Sequence, residues 1–188
     1  MNKTAVLVVD MVYDFTNPKG KVFYPKNEEI IKELSKFLIL AREEKCKIIF
    51  VEHTVKKEDY EKAKMKMREC CIEGSGGEIT DARLKCDREK DIIIKKNKYS
   101  AFYNTNLQEI LKRNNIENLI IVGTKTNNCI LATTFDAFNH NYNIYVIKNL
   151  VGTSDDLTNN IYLRDINKYL AKVISSNEAV QLMKQEEL

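Results

Sequence analysis

Six short apolar runs, at 5–9, 47–52, 91–96, 119–122, 143–147 and 171–174, alternate along the whole chain with longer stretches of helical periodicity. A continuous run such as Ala5-Val-Leu-Val-Val9 is the pattern of a strand buried on both faces, because a strand open to water on one side alternates apolar and polar residues. Buried strands separated by helices call for parallel pairing, right-handed crossovers and helices on both faces of the sheet. The expectation is therefore an α/β fold. Its form is a three-layer α/β/α sandwich around a doubly wound, mostly parallel six-stranded sheet, with residues 1–188 in a single domain.

The helices follow from the intervening stretches. Asn27 caps one that reaches about Glu44 and turns Ile30, Leu34, Phe37, Leu38 and Ala41 inward. Lys56 to Arg68 reads as a solvated helix, and Asn104 to Asn114 as a helix with Leu107, Ile110 and Leu111 inward. A further helix begins near Cys129 and reaches about Asn141, another spans Leu157 to Leu170 past a loop at 151–156, and a last one starts at Asn177. Residues 69–90 carry the vicinal Cys70-Cys71 and the turn-forming Gly74-Ser-Gly-Gly77, and read as a surface excursion.

Charge and cysteine content narrow the partners. Thirty basic and 27 acidic residues are scattered without a block, for a formal charge of +3, which favours a small molecule over nucleic acid or a membrane surface. Five cysteines with no CxxC spacing and only two histidines support neither a disulfide framework nor a zinc site. A reducing cytoplasm is the matching location. The first apolar run is too short for a signal-peptide core and ends in Asp10, and no run approaches the roughly 20 apolar residues of a membrane span.

Three reactive side chains follow strand ends: Asp10, Lys98 and Cys129. In open α/β sheets ligands bind beyond the carboxyl ends of the strands, so the three are candidates for one rim. Thr126-Asn127-Asn128 suit the cap of the helix that opens near Cys129. A cysteine in a first helical turn faces unpaired N–H groups and the positive end of the helix dipole, which favours thiolate. The competing reading is a cysteine packed under the sheet, since free cysteines are among the most buried residues. Asp10 competes as a turn residue and Lys98 as a solvated one. Tyr13, Phe15, Tyr99, Phe102, Asn127 and Asn128 flank this rim as candidate pocket residues, with core packing or capping as the alternative.

In order and spacing, four segments resemble the isochorismatase-like cysteine hydrolases, which include nicotinamidases, N-carbamoylsarcosine amidase and ureidoacrylate amidohydrolases. They are Ala5 to Phe15, Gly74 to Glu78, Ile94 to Leu107, and Val122 to Ile130 with Thr133 and Asp136-Ala137 beyond. The resemblance implies a triad of Asp10, Lys98 and Cys129 that cleaves the C–N bond of a small amide, ureido or carbamoyl compound through a thioester. It further implies oxyanion donors at the backbone N–H groups of Lys125 and Cys129, a cis peptide at Thr124–Lys125, and a homodimer or homotetramer. The family often has Gln where this chain has Val12, and a small residue where it has Lys125. Nicotinamidases place an Asp-x-His pair and another histidine around a metal. Glu52-His53 stands here without a nearby second histidine, so no metal and no other cofactor is expected. A non-hydrolytic ligand-binding module, or a thiol redox protein on the same fold, is the alternative. Cys46, Cys70, Cys71 and Cys86 are expected to be packed and inert.

Overall fold

The computed structural model describes residues 3–63 and 68–184. In chain order the elements are β1 (Thr4–Val9), α1 (Tyr13–Thr16), α2 (Lys26–Glu43), β2 (Lys47–His53), α3 (Lys57–Ala63), β3 (Ile92–Lys96), α4 (Leu107–Arg113), β4 (Asn118–Thr124), α5 (Leu131–Asn139), β5 (Asn143–Gly152), α6 (Asp156–Tyr169), β6 (Lys172–Ile174) and α7 (Ser176–Lys184). The six strands pair in parallel in the order β3-β2-β1-β4-β5-β6. Successive strands run outward from β1 on one side and from β4 on the other. The switch point therefore lies between β1 and β4, and the crevice beyond their carboxyl ends is where such a sheet binds ligands.

Alternation along β1 divides the core. Ala5, Leu7 and Val9 point to one face, where Leu107 and Leu111 of α4, Ala137 of α5 and Leu163 and Ile166 of α6 cover them. Val6 and Val8 point to the other, under Ile30, Leu34, Phe37 and Leu38 of α2 and Ala179 and Met183 of α7. Each fully buried side chain of this size contributes about 1.5–3 kcal/mol. The sandwich layers follow from this two-sided burial.

Several boundaries differ from the sequence reading for identifiable reasons. Helix α4 starts at Leu107 rather than Asn104 because Asn104 adopts a left-handed backbone (φ 52°), which cannot enter a right-handed helix. Strand β5 runs on to Gly152, taking the first two residues of the expected loop at 151–156, because Val151 and Gly152 pair with Gly123 and Thr124 after a register shift. The exposed Lys148 and Asn149 sit before that resumption and hide the strand pattern. Asn27 lies inside α2, where its side-chain amide donates to the Phe15 carbonyl instead of capping. Of the helix read over Lys56 to Arg68, residues 57–63 are helical and 64–67 lie outside the described residues.

The stretch at 69–90 runs along the surface, with much of it exposed, and is anchored at several points. Val12 bridges Thr80 and Val55 bridges Ile72, Cys71 and Leu84 are buried, and Arg83 ties Asp81 to Glu28 and the Thr16 carbonyl. The turn residues Gly74 and Ser75 are exposed and bond locally to Glu78, as a surface path requires, while the bridges and buried side chains on either side hold the segment to the body. Among the described residues no helix is long and apolar enough to cross a membrane.

Candidate active site

The site begins with two sharp exits from adjacent strands. Val9 and Gly123 are partners in the β1–β4 ladder, and Gly123 has φ 117°. A Cβ at Gly123 would stand 2.0 Å from the Val9 carbonyl oxygen, so only glycine lets the two strand ends approach this closely. Asp10 follows with φ 56°, a left-handed conformation uncommon for a residue with a side chain. Its backbone N–H donates to the Val51 carbonyl at 2.9 Å. The carboxylate is thereby aimed over the end of the sheet.

The lysine that meets it is Lys96, not Lys98. Lys96 Nζ donates to Asp10 Oδ2 at 2.7 Å and to the Lys98 carbonyl at 3.0 Å, and it lies 3.4 Å from Cys129 Sγ. Both side chains of the Lys96–Asp10 pair are essentially shut off from solvent, at 0% and 1% exposure. Lys98 is exposed beyond the strand. The pleat explains the difference. Residues two apart share a face, so Lys96 lies on the inward side with the buried Ile94 while Lys95 points out. Counting by two from Ile94 would have picked out Lys96, whereas proximity to the strand end pointed to Lys98.

Cys129 is buried in a wide helical turn at Thr126–Ile130 that leads directly into α5. The expected preference for thiolate is reversed here. Burial first, and then the Asp10 charge, push the Cys129 thiol up to about 12, with the Lys96 ammonium pulling the other way. Cys129 therefore keeps its proton at neutral pH. Burial pulls Lys96 down, but the Asp10 charge and the contacts with Asp10 and Cys129 outweigh it and hold the ammonium above its ordinary value. Asp10 Oδ1 is buried and receives no N–H or O–H, and the Asp10 carboxylate lies within hydrogen-bonding reach of the Cys129 thiol, which leaves an acceptor beside a protonated sulfur.

These groups open onto a cavity of about 490 Å³ lined by Asp10, Phe15, Val22, Tyr24, His53, Arg68, Cys70, Asn97, Lys98, Tyr99, Thr124, Lys125, Asn128 and Cys129. Phe15, Tyr99 and Asn128 are thus in its wall. Tyr13 is not, and projects 38% exposed from α1. Phe102 packs instead against the rings of His140 and Tyr142, and the Asn127 side-chain Oδ1 accepts from Thr153 Oγ1. Tyr24, Arg68 and Cys70 were missed because they come from loops that only the fold brings to the rim. The Thr124–Lys125 peptide is cis.

The remaining segments of the resemblance serve as supports. Ser100 donates to the Asp136 carboxylate, and Thr133 Oγ1 accepts from the Ala101 N–H at 3.0 Å, which docks the loop after β3 onto α5. Glu78 accepts from the Gly74 N–H and from Ser75. Glu52 and His53 do not fit a metal. Glu52 Oε1 accepts from the Thr80 N–H, the Thr80 hydroxyl and Arg88, while His53 Nδ1 lies 3.5 Å from the Lys96 ammonium. Burial, with Lys96 and Lys98 adding to it, pulls His53 down to about 4, so the ring is neutral. All five cysteines are free thiols. Cys46, Cys70 and Cys71 are buried, and Cys86 is half-buried.

A family model described as Isochorismatase domain matches residues 4–178. Among curated proteins, one of Arabidopsis thaliana named "Probable inactive nicotinamidase" is 33% identical over 153 residues, covering 77% of this chain and 78% of its own. Maleamate amidohydrolase of Pseudomonas putida is 21% identical over 188 residues, covering 97% of this chain and 87% of its own. Among solved structures, a cysteine hydrolase from Pseudomonas syringae pv. phaseolicola 1448A has a TM-score of 0.89 at 22% identity, covering 98% of this chain and 93% of that one.

Proposed function

This chain belongs to the isochorismatase family, and from that premise we propose that it hydrolyses the C–N bond of a small amide, ureido or carbamoyl compound through a thioester on Cys129. One observation carries the reading: a single buried ammonium, that of Lys96, stands within 2.7 Å of a carboxylate and 3.4 Å of a thiol on a cavity floor. The amidohydrolase activity named for the Pseudomonas putida relative supports it.

The chemistry follows from the charges. A thiol held near 12 reacts poorly unless its proton leaves as the new bond forms, and Asp10 is the neighbouring acceptor. Asp10 takes the Cys129 proton while Sγ attacks the carbonyl carbon. The backbone N–H groups of Lys125 and Cys129 receive the oxyanion. As the tetrahedral intermediate collapses, Asp10 returns the proton to the nitrogen, the C–N bond breaks and ammonia or an amine departs. Water, deprotonated by Asp10, then attacks the thioester, the acid is released and the proton goes back to sulfur. Lys96 offsets the negative charge that moves between Asp10 and Sγ. Assembly as a homodimer or homotetramer in the cytoplasm belongs to the same proposal, and light scattering checks the assembly.

The test is covalent trapping. Incubation with a panel of small amides, ureas and carbamoyl compounds should release ammonia or amine and leave an acyl mass on the intact protein, both abolished in Cys129→Ala. Neither adduct nor release across the panel would overturn the reading. It would favour the alternative, a non-hydrolytic ligand-binding module or a thiol redox protein on the same fold; a 33% identical relative is itself named a probable inactive nicotinamidase.

A further inference from the structure

The cavity wall carries more cationic charge than the proposed hydrolysis uses. Arg68, Lys98 and Lys125 all line it, and Asp10 is the one carboxylate among the lining residues. Asp10 is already engaged by Lys96 on the floor. Among the described residues, none of the three wall cations has an ion-pair partner within salt-bridge distance. His53, the remaining titratable wall nitrogen, is held neutral.

Of the three, Lys125 is the one whose ammonium is held by side-chain contacts in the wall. Its ammonium lies 4.9 Å from the centroid of the Tyr24 ring and donates to Ser154 Oγ at 2.7 Å. An ammonium has three N–H donors, so this arrangement orients the group and leaves donors for a further acceptor. Asp155 is an acid whose field reaches Lys125, but its Oδ1 accepts from the Thr158 N–H at the start of α6. Phe15, Val22 and Tyr24 supply an apolar stretch of wall. The cavity thus joins a nucleophile, an apolar span and a set of cations that, among the described residues, make no ion pair.

We propose that Lys125, assisted by Arg68 and Lys98, selects amides whose far end carries an anion, in the simplest case a carboxylate. The inference rests on the hydrolytic reading above and assigns the substrate class of the same site. Lys125 then has two separate parts. Its backbone N–H faces the oxyanion, and its side chain holds the charged end of the substrate.

Four matched amides test this: succinamate, its phosphonate counterpart 3-phosphonopropanamide, the neutral succinamide and the cationic 4-aminobutanamide. The expected kcat/KM order places the anionic amides at least tenfold above the neutral one and the cationic one last, and the two anionic arms identify the preferred headgroup. Lys125→Met should cut the anionic-to-neutral ratio by about tenfold, chiefly through KM. Lys125→Arg should restore part of it, and Arg68→Gln or Lys98→Gln should lower it less. Equal turnover of anionic and neutral amides, or a ratio unchanged in all three neutralising variants, would overturn the inference. Calorimetric binding of succinate to Cys129→Ala separates it from the hydrolytic reading. Succinate binding that Lys125→Met weakens supports the anion site even if no amide is turned over, and absence of binding counts against the site even if amides are hydrolysed.

Discussion

Asp10 and Glu52 are two buried carboxylates at the carboxyl ends of neighbouring strands, and their surroundings differ in one respect that separates support from chemistry. Glu52 Oε1 is saturated by two donors from Thr80 and one from Arg88. Asp10 has one oxygen on Lys96 and the other without a partner, beside a thiol, on a left-handed backbone. Desolvated polar groups are normally paired, so an unpaired carboxylate oxygen at a cavity floor marks a group held ready for proton transfer. Saturation makes Glu52 a structural pin for the loop at Thr80.

The largest test of this contrast is loss of activity. Cys129→Ala should abolish turnover, and Asp10→Asn should lower kcat by about 10²–10⁴-fold with the fold retained by circular dichroism. Glu52→Gln should hold kcat within about tenfold and instead lower the unfolding free energy by about 1.5–3 kcal/mol, as a charge-assisted bond to Arg88 is lost. If Glu52→Gln were as inactive as Asp10→Asn, the division of labour would fail.

Next comes the lysine. Lys96→Met strands a buried carboxylate, and denaturant titration should show a loss of about 3–5 kcal/mol, part of which Asp10→Asn in the same chain restores. Lys98→Met, at an exposed position, should show no such coupling with Asp10. A coupling of equal size at Lys98 would return the floor to the lysine first expected there.

Smaller effects concern pH. The Cys129 thiol is raised on folding, so folding favours its protonated form; that stability is present below the unfolded value of about 8.5 and is lost as pH climbs toward about 12. Thermal melts should show the chain weakening through this alkaline range, with a shallower slope in Cys129→Ala. His53 behaves with the opposite sense. Its value is depressed on folding, so the stability it confers is present above about 6.5 and is lost as pH falls toward about 4. His53→Asn should flatten the acid limb slightly. An unchanged limb would mean that other groups carry it.

Much of the layout was legible because it depends on local pattern. The apolar runs at 5–9 and 119–122 marked strands buried on both faces, and Asp10 and Cys129 follow those strands into the crevice. The lysine was misread through a question of facing. Lys95, Lys96 and Lys98 are chemically alike and close in sequence, and only the pleat of β3 decides that Lys96 goes inward. Phe102 and Tyr13 share the composition of a pocket wall, but neighbouring rings and solvent, respectively, claim them.

By itself the sequence determined the α/β sandwich and the strand-end positions of Asp10 and Cys129, since these follow from hydrophobic periodicity. Tertiary structure alone decided that Lys96 is the buried ammonium, that Cys129 rests as a thiol, and that Arg68 and Lys125 face one cavity. Those outcomes depend on distances between residues far apart in the chain and on the loss of water around them, which no local pattern encodes.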